Sequence, residues 1–271
     1  MEIKCIIDMT KVYALVANGK GGVGKSFFSQ ILIEYWTYRG LLPYVAQVDS
    51  QARLQELNQL DVLTIPSKPE LLRADPSEQL GRFRDITNRL ITGDPGQPFV
   101  LDIGANEEGN VSHWMGHSEF SEELRDLGRQ PVVFIVYTAE QEAIEKAGQT
   151  ARSFQKVLPD AHFVFVENRR FGAVSKLHPG SSAKKAFDQW VAPLEQKASK
   201  LVMPAVLGQS YSRFEASRTR FLEVIGLSPE EIMSRTGLER ADARIARGDV
   251  GVWVRAMLKS FDELFGQEPL V

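Results

Sequence analysis

The chain has few of the features that mark secreted or membrane proteins. Its 271 residues include one cysteine, Cys5, so no disulfide can form within the chain, and a reducing compartment fits. No apolar run approaches the roughly 18–20 residues of a membrane-spanning helix, and the N-terminus lacks a basic region followed by a long apolar stretch. We therefore expect a cytoplasmic protein that does not insert into a membrane.

The chain also carries little net charge. The formal charge at pH 7 is only −3, so the chain as a whole has no strong attraction for nucleic acid or acidic membranes. Hydrophobic residues make up 43% of the chain and charged residues 25%, which are values typical of globular proteins. The length allows one large α/β domain or two small ones.

Strand-like and helix-like segments alternate along most of the sequence. The strand-like segments are nearly continuous apolar runs, at about 12–17, 44–49, 62–65, 99–103, 132–138, 161–166 and 201–203. Helical patterns separate them, at about 25–39, 51–59, 77–91, 119–127, 140–157 and 182–191. Continuous apolar strands are typical of a parallel sheet that is covered on both faces. The sequence therefore predicts a doubly wound, mostly parallel α/β sheet with helices on both faces.

The pattern becomes helical after Pro204, with helices predicted at about 212–225, 229–235 and 240–265. No internal repeat, low-complexity tract or long linker divides the chain. We therefore predict a single domain over residues 1–271. In this interpretation residues 1–8 are a possible N-terminal extension, and residues 206–271 are the helical C-terminal part of the same domain.

The most informative motif is the octapeptide Gly19–Ser26, which reads GKGGVGKS. It matches the phosphate-binding pattern G-x-x-x-x-G-K-[ST] at every fixed position. An apolar strand-like run leads into it at 12–17, and a helical pattern leads out of it from Lys25. The motif thus lies on the strand–loop–helix unit that phosphate-binding loops require.

Each residue type in this loop has a physical reason to be there. Glycines let the backbone N–H groups approach phosphate oxygens closely, and the following helix adds the positive end of its dipole. Lys25 is placed to reach the β- and γ-phosphates, and the Ser26 hydroxyl to hold Mg²⁺. The predicted nucleotide-binding residues of the loop are Gly21, Gly22, Val23, Gly24, Lys25, Ser26 and Phe27.

The loop carries a second lysine, Lys20, where the ordinary pattern allows any residue. The string KGGVGKS at 20–26 resembles the deviant Walker A loop of the ParA/MinD superfamily of ATPases. This resemblance implies ATP and Mg²⁺ as cofactors, a P-loop fold, and a homodimer in the ATP-bound state. It also implies that Lys20 acts in trans on the ATP of the partner subunit, as an arginine finger does. Lys20 and Lys25 are accordingly predicted catalytic residues.

Asp49 follows the second predicted strand in the string QVDSQ at 47–51. The superfamily usually has D-x-D-P-Q here, and the resemblance implies that Asp49 acts in hydrolysis and near Mg²⁺. Carboxyl ends of parallel strands are where open α/β sheets keep their ligands. Gln47 and Ser50 depart from the family pattern, so the sequence leaves the hydrolysis rate open.

Asp102 ends a further apolar strand, in the string PFVLDIGAN at 98–106. This is the form of a Walker B motif, so Asp102 is predicted to meet Mg²⁺ beside Ser26. Gly104 and Ala105 are small enough to let the next loop approach the γ-phosphate, although the family more often has D-x-P-P-G. The predicted metal residues are therefore Ser26, Asp49 and Asp102.

Two strand ends in the second half of the chain resemble the family's adenine site. Asn168 follows VFVE at 164–167, and family members commonly place an asparagine there to bond the adenine edge. Pro204 follows LVM at 201–203 and matches the family's proline that borders the base. Both residues are also common at strand ends for local reasons, so the alternative of a purely structural role stays open.

Three weaker signals concern other partners. His113 and His117 have a metal-like spacing, but no nearby cysteine or third histidine completes a site. Residues 169–200 carry seven basic residues against two acidic ones, which allows nonspecific DNA contact or simply a solvated face. The last predicted helix has an apolar stripe with a polar face of mixed sign, which favours a sheet-covering helix over a membrane anchor.

Taken with the resemblance, these features predict an ATP-dependent dimerising switch ATPase that serves plasmid partition or conjugal DNA transfer. Within the superfamily, the loop, the string DIGA at 102–105 and the helical tail look most like the TraL-type ATPases of conjugal-transfer and plasmid-stability operons. The cargo and the activating protein are unknown. An ATP-dependent synthetase or amidoligase of the same fold and a membrane-associated MinD-like ATPase are the alternatives. Cys5 alone argues against metal-handling relatives, which need paired cysteines.

Overall fold

The computed structural model describes residues 7–49, 54, 61–66, 80–206 and 210–268. Ser50, most of the helix predicted at 51–59 and the first part of the one predicted at 77–91 lie outside the described residues. So do residues 1–6 of the predicted N-terminal extension. Within that predicted extension, Ile7 is buried in the hydrophobic core, and Asp8 accepts a hydrogen bond from the Thr10 backbone N–H at 3.1 Å.

The described strands form one seven-stranded sheet in the order β3-β2-β4-β1-β5-β6-β7, and every neighbouring pair is parallel. The chain starts in the middle, builds one edge, returns to fill the gap and then builds the other edge. This confirms the predicted doubly wound sheet. The strands are β1 Val12–Ala17, β2 Tyr44–Val48, β3 Val62–Ile65, β4 Phe99–Ile103, β5 Gln130–Tyr137, β6 His162–Asn168 and β7 Ser199–Met203.

Helices cover both faces of this sheet, as predicted. Alternate residues of β1 point to opposite sides: Val12, Ala14 and Val16 enter one core, while Tyr13 and Leu15 enter the other. The described helices are α1 Lys25–Tyr38, α2 Arg84–Thr92, α3 Glu108–His117, α4 Phe120–Asp126, α5 Gln141–Val157, α6 Ser182–Ala186, α7 Ala192–Glu195, α8 Ser212–Ala216, α9 Phe221–Gly226, α10 Pro229–Thr236 and α11 Arg240–Phe265. A π-helical turn, Phe187–Val191, joins α6 to α7.

The core on one face contains side chains of α1 and of the C-terminal helices α8–α11, whereas the opposite core contains those of α2–α5. The longest described helix, α11, packs against α1 and β7. A buried contact joins the two helices, since Tyr35 in α1 donates to Asp262 in α11 at 2.9 Å and Arg39 pairs with the same carboxylate. No helix among the described residues is both long enough and apolar enough to cross a bilayer.

The C-terminal helices differ from the sequence prediction at one point. The single helix predicted over 212–225 is wrong, because the chain breaks at Arg218, which adopts a left-handed conformation with φ of 54°. A new helix begins at Phe221, where the buried Glu34 carboxylate accepts hydrogen bonds from the N–H groups of Phe221 and Leu222 at 3.1 and 2.8 Å. A side chain of α1 therefore caps α9.

Candidate nucleotide-binding site

The predicted site residues lie at or just beyond the carboxyl ends of five strands of the sheet. The phosphate-binding loop follows β1, and Asp49 follows β2, while Asp102 lies within β4. Asn168 ends β6 and Pro204 follows β7. Because all these strands are parallel, the sheet brings these segments to one edge.

The loop backbone takes the conformations that only glycine adopts easily. Gly22 and Gly24 have φ values of 77° and 95°. A Cβ atom at Gly24 would also lie 2.6 Å from the Asn168 amide nitrogen, which is too close. Gly24 is the residue from which α1 starts, since its carbonyl accepts the Phe28 N–H at 2.9 Å. The first turn of α1 therefore directly follows the loop.

A buried asparagine fixes the start of the loop. The Asn18 amide donates to the carbonyls of Val136 at 2.8 Å and Ala143 at 3.1 Å, which tie it to β5 and α5. Its side-chain oxygen accepts the Lys20 N–H at 2.8 Å, and the Gly19 N–H reaches the Thr150 hydroxyl at 3.3 Å. The backbone that carries Lys20 is thus held from the side of α5.

Lys25 lies inside the loop and is 7% exposed. Its ammonium donates to the Lys20 carbonyl at 3.0 Å, so the side chain folds back toward the start of the loop. Burial lowers the pKa of Lys25, and the nearby carboxylates of Asp102, Glu108 and Asp49 oppose that shift. A cation held in this way is ready to meet the negative charge of a phosphate.

Two serines of α1 hold the buried Asp102 carboxylate. Ser26 donates to one oxygen and Ser29 to the other, each at 2.7 Å. Burial raises the pKa of Asp102, whereas the two hydrogen bonds and the charge of Lys25 oppose this shift. The structure therefore brings together Ser26 and Asp102, two of the residues predicted to hold Mg²⁺.

Asp49 lies beside this pair because β2 and β4 are neighbours. The Gly104 N–H donates to the Val48 carbonyl at 2.7 Å, which joins the two strand ends. A Cβ at Gly104 would come 2.6 Å from that oxygen and 3.1 Å from the Asp49 carboxyl carbon. Gly104, two residues after Asp102, thus lets the two carboxylate-bearing strand ends pack together; its role near the γ-phosphate stays a prediction.

Gln47, which departs from the family pattern, is 1% exposed and lies in the sheet next to Asp102. Its amide donates to the Thr64 hydroxyl at 2.8 Å, and its oxygen accepts the Leu54 N–H at 3.2 Å. The side chain therefore joins β2 to β3 and to the segment that follows Asp49. In this chain the position has a structural role.

Lys20 lies at the surface, whereas Lys25 is buried. Its ammonium contacts the Glu142 carboxylate, in the first turn of α5, at 2.6 Å. The two side chains are 35% and 61% exposed. The hydrogen bond and the charge of Glu142 raise the pKa of Lys20, so the lysine stays protonated. The two lysines of the loop thus occupy separate environments.

The predicted base-binding residues lie on the other side of the loop. The Asn168 amide donates to the Val23 carbonyl at 2.9 Å, and its oxygen accepts the Arg170 N–H at 3.1 Å. The Pro204 carbonyl accepts the indole N–H of Trp253 at 2.8 Å. Asn168 therefore supports the loop directly, and its contact with an adenine edge stays a prediction.

The remaining predicted loop residues have packing roles. A Cβ at Gly21 would be in ordinary contact with Ala105 at 3.6 Å, and Val23 is buried in the core. Phe27 packs against aromatic side chains of the C-terminal helices. Phe27 is adjacent to the loop in the sequence, but the aromatic side chains that it contacts belong to residues far along the chain.

Several residues of the site were not found from the sequence. Asn18, Ser29, Thr150 and Glu142 bond the loop or its carboxylate. The Glu108 carboxylate lies against Gly19, and its Oε2 atom is buried without a hydrogen-bond partner among the described residues. Two of these residues could have been predicted from the sequence. Ser29 lies one helical turn beyond Ser26, and Asn18 is a polar residue directly after a buried strand.

The residues present fit the phosphates of a nucleotide and a magnesium ion. A Cβ built at Gly22 would touch nothing within 4 Å, so the turn of the loop is open on that side. Lys25, Ser26 and Asp102 supply an ammonium, a hydroxyl and a carboxylate within one cluster. Mg²⁺ commonly uses one or two carboxylates together with substrate phosphates. No group of three His, Cys, Asp or Glu side chains that could hold a metal ion occurs among the described residues.

The other predicted contacts receive less support. The His113 and His117 ring centroids lie 4.1 Å apart with the rings tilted by 49°, and no third potential metal ligand joins them among the described residues. In the basic segment 169–200, Arg169 pairs with Glu167, Lys184 with Asp188 and Lys200 with Glu195. Arg170, Lys176, Lys185 and Lys197 form no ion pair within the described part of the chain and are exposed. Contact with DNA stays a prediction.

Comparison with known proteins identifies two similar sequences. No protein-family model matches the chain. A protein named TraL from Escherichia coli is 26% identical over 239 residues, which cover 85% of this chain and 93% of the relative. A second TraL from Escherichia coli is 27% identical over 209 residues, which cover 76% of this chain and 81% of the relative.

Solved structures with a similar architecture include a cell division protein and a plasmid partition protein. The cell division protein MinD of Aquifex aeolicus is 12% identical with a TM-score of 0.45, and the match covers 88% of this chain and 97% of MinD. A plasmid partition protein of Borrelia burgdorferi, bound to AMPPNP, is also 12% identical, with a TM-score of 0.48 and coverage of 90% and 98%. The similarity to the two TraL proteins agrees with the resemblance to TraL-type proteins predicted from the sequence.

Proposed function

We propose that the chain is an ATP-dependent switch ATPase of the ParA/MinD type. In this proposal ATP and Mg²⁺ bind at the loop, two copies close face to face, and the closed homodimer engages a cargo. Hydrolysis to ADP and phosphate then opens the dimer. The nucleotide drives the change because it binds the closed state more tightly than the open one.

The observation that carries this proposal is the separation of the two loop lysines. Lys25 is buried against its own loop, where it would meet the phosphates of a nucleotide bound there. Lys20 lies outside, at the surface, in contact with an exposed glutamate. A lysine in that position is accessible to a second subunit, which is what a residue acting in trans requires.

The other residues have distinct roles in this proposal. Lys25 neutralises phosphate charge, and Ser26 with Asp102 would hold Mg²⁺, which supplies charge neutralisation at the transferred phosphoryl group. Asp49 orients the attacking water from the neighbouring strand end. Asn18 fixes the backbone of Lys20, so that the lysine starts from a defined position.

The similarity to TraL and the deviant loop together support a setting in conjugal DNA transfer or plasmid partition. The cargo in such a setting would be a DNA-associated complex. An activating protein would stimulate a slow intrinsic ATPase.

The test compares Lys20→Ala with Lys25→Ala in the full chain. Lys25→Ala should abolish ATP binding, measured by calorimetry. Lys20→Ala should keep ATP binding within about threefold but lose ATP-dependent dimerisation, measured by light scattering, and lose about 10²–10⁴ in turnover. Normal dimerisation and turnover in Lys20→Ala would contradict the proposal.

A further inference from the structure

Pro204, which directly follows β7, is hydrogen-bonded to the last long helix. Trp253 in α11 donates its indole N–H to the carbonyl of Pro204 at 2.8 Å, and its side chain is only 2% exposed. A proline has no N–H, so this carbonyl is its one backbone hydrogen-bonding group. The contact joins residues 49 positions apart in the chain.

The Trp253 ring belongs to an aromatic cluster that we define as Phe27, Tyr211, Phe221 and Trp253. Ring centroids lie 5.0 Å apart for Phe27 and Trp253, and 4.8 Å apart for Phe221 and Trp253. Pairs at these distances stabilise one another beyond the burial of their surfaces. Phe27 directly follows Ser26, so the aromatic cluster connects the phosphate-binding loop to the segment after β7.

This segment also adjoins the loop from the side of the sheet. Met203, just before Pro204, lies opposite Asn168 on the neighbouring strand. A Cβ on Gly24 would come 2.6 Å from Asn168 and 3.3 Å from the Met203 methyl group. The Gly24 side of the loop is therefore bounded by β6 and β7, whereas the Lys20 side is bounded by α5.

From these contacts we infer that Trp253 is a positioning residue for the purine base of the bound nucleotide. It holds Pro204, the residue predicted to border the base, next to the strand end that bounds the Gly24 side of the loop, so that residues 204–206 form a rigid wall against the base. The phosphates are held independently, by the loop and Lys25. This inference rests on the proposed nucleotide binding, and it assigns base selection in part to the C-terminal helices.

The experiment uses Trp253→Phe, which keeps an aromatic ring in the cluster but removes the N–H donor. Calorimetry compares ATP, GTP and inorganic tripolyphosphate as ligands of the full chain with Mg²⁺. We expect about five- to thirtyfold weaker ATP binding, because the Pro204 carbonyl loses its partner and the wall shifts. Tripolyphosphate binding should stay within about twofold, and the preference for ATP over GTP should narrow.

Trp36→Phe is the matched control. Trp36 is also fully buried in the same core, but its indole N–H has no hydrogen-bond partner among the described residues. This substitution should leave all three affinities unchanged. A general loss of stability in a tryptophan variant would lower all three affinities together, whereas the inference requires a loss confined to ligands that carry a base.

A second measurement uses the wild-type chain and does not depend on how a variant folds. The chain has four tryptophans, so ¹⁵N labelling of tryptophan gives four indole N–H signals, which single Trp→Phe changes assign. The Trp253 signal should shift on adding ATP and shift differently on adding GTP. It should stay within its line width on adding tripolyphosphate.

The outcomes separate the inference from the function on which it rests. If wild-type chain binds ATP but Trp253→Phe matches Trp36→Phe in every affinity, the inference is wrong while nucleotide binding stands. A Trp253 signal that shifts equally with ATP and tripolyphosphate also contradicts it. If the wild-type chain binds neither ATP nor tripolyphosphate, the proposed function itself fails.

Discussion

At the residue scale, Glu142 would compete with the partner subunit's nucleotide site for Lys20. The lysine is held within its own subunit by a carboxylate at 2.6 Å, yet the proposed mechanism needs it in the partner's site. Both side chains are partly exposed, so solvent and salt weaken the pair. The lysine can therefore leave Glu142 at small cost when a stronger anion is offered.

Glu142→Gln should strengthen ATP-dependent dimerisation by about two- to fivefold, because it removes the competing charge while keeping the side-chain shape. Analytical ultracentrifugation with ATP and Mg²⁺ measures the effect. Glu145→Gln is the control, since it removes a charge from the next turn of the same helix, where the partner is Gln141. Weaker dimerisation in Glu142→Gln would mean that the glutamate assists Lys20.

At the element scale, two helical glycines have opposite surroundings. Gly148 in α5 packs so closely on the π-helical turn that a Cβ would lie 2.6 Å from the Trp190 carbonyl oxygen. Gly248 in α11 is exposed, and a Cβ there would meet nothing within 4 Å. One glycine is required by packing, whereas the other only lowers helix propensity.

Gly148→Ala should lower the free energy of unfolding by about 1–3 kcal/mol, because α5 and the π-helical turn must move apart to make room for the added methyl group. Gly248→Ala should raise it by about 0.5–1 kcal/mol, because alanine stabilises an exposed helix interior. Urea denaturation followed by circular dichroism measures both. Equal changes of the same sign would contradict the packing described for α5.

The sequence predicted the elements whose signal is local. The strands were found because they are continuous apolar runs, and the phosphate-binding loop because its residues are consecutive. Helix α3 was missed because Gly109, Asn110 and Gly116 are poor helix formers, and it forms because Trp114 and Met115 are buried.

Contacts between distant segments gave no local signal. Asn18 and Val136 are 118 residues apart, and Gly19 and Thr150 are 131 apart. Trp253 resembles any other core residue on the stripe of α11 until the fold brings it to Pro204. Periodicity reports which side of a helix is buried, but it does not report what the buried atoms bond.

At the scale of the whole molecule, a buried carboxyl joins α1 to the C-terminal helices. Glu34 accepts hydrogen bonds from two N–H groups of α9 and from Gln30. Burial nevertheless raises the pKa of Glu34 above its ordinary value, because these bonds offset only part of the lost hydration. The folded chain therefore holds this proton more tightly than the unfolded chain does.

The sign of the pH dependence follows from linkage. A carboxyl whose folded pKa is raised contributes stability below its unfolded pKa and loses it as pH rises toward the folded value. Glu34→Gln removes this titration. Relative to wild type, the variant should gain free energy of unfolding as the pH rises above 4.5, the ordinary pKa of this carboxyl, measured by denaturation at several pH values. A difference that is flat or shrinks with rising pH would contradict the raised pKa.

The two serines on Asp102 have a consequence for the order of events at the site. Each serine holds a different oxygen of the carboxylate. Ser26 can therefore turn toward an arriving ligand while Ser29 keeps Asp102 in place. The site has a hydroxyl that can move and a hydroxyl that stays, so its geometry does not have to be rebuilt each time the nucleotide leaves.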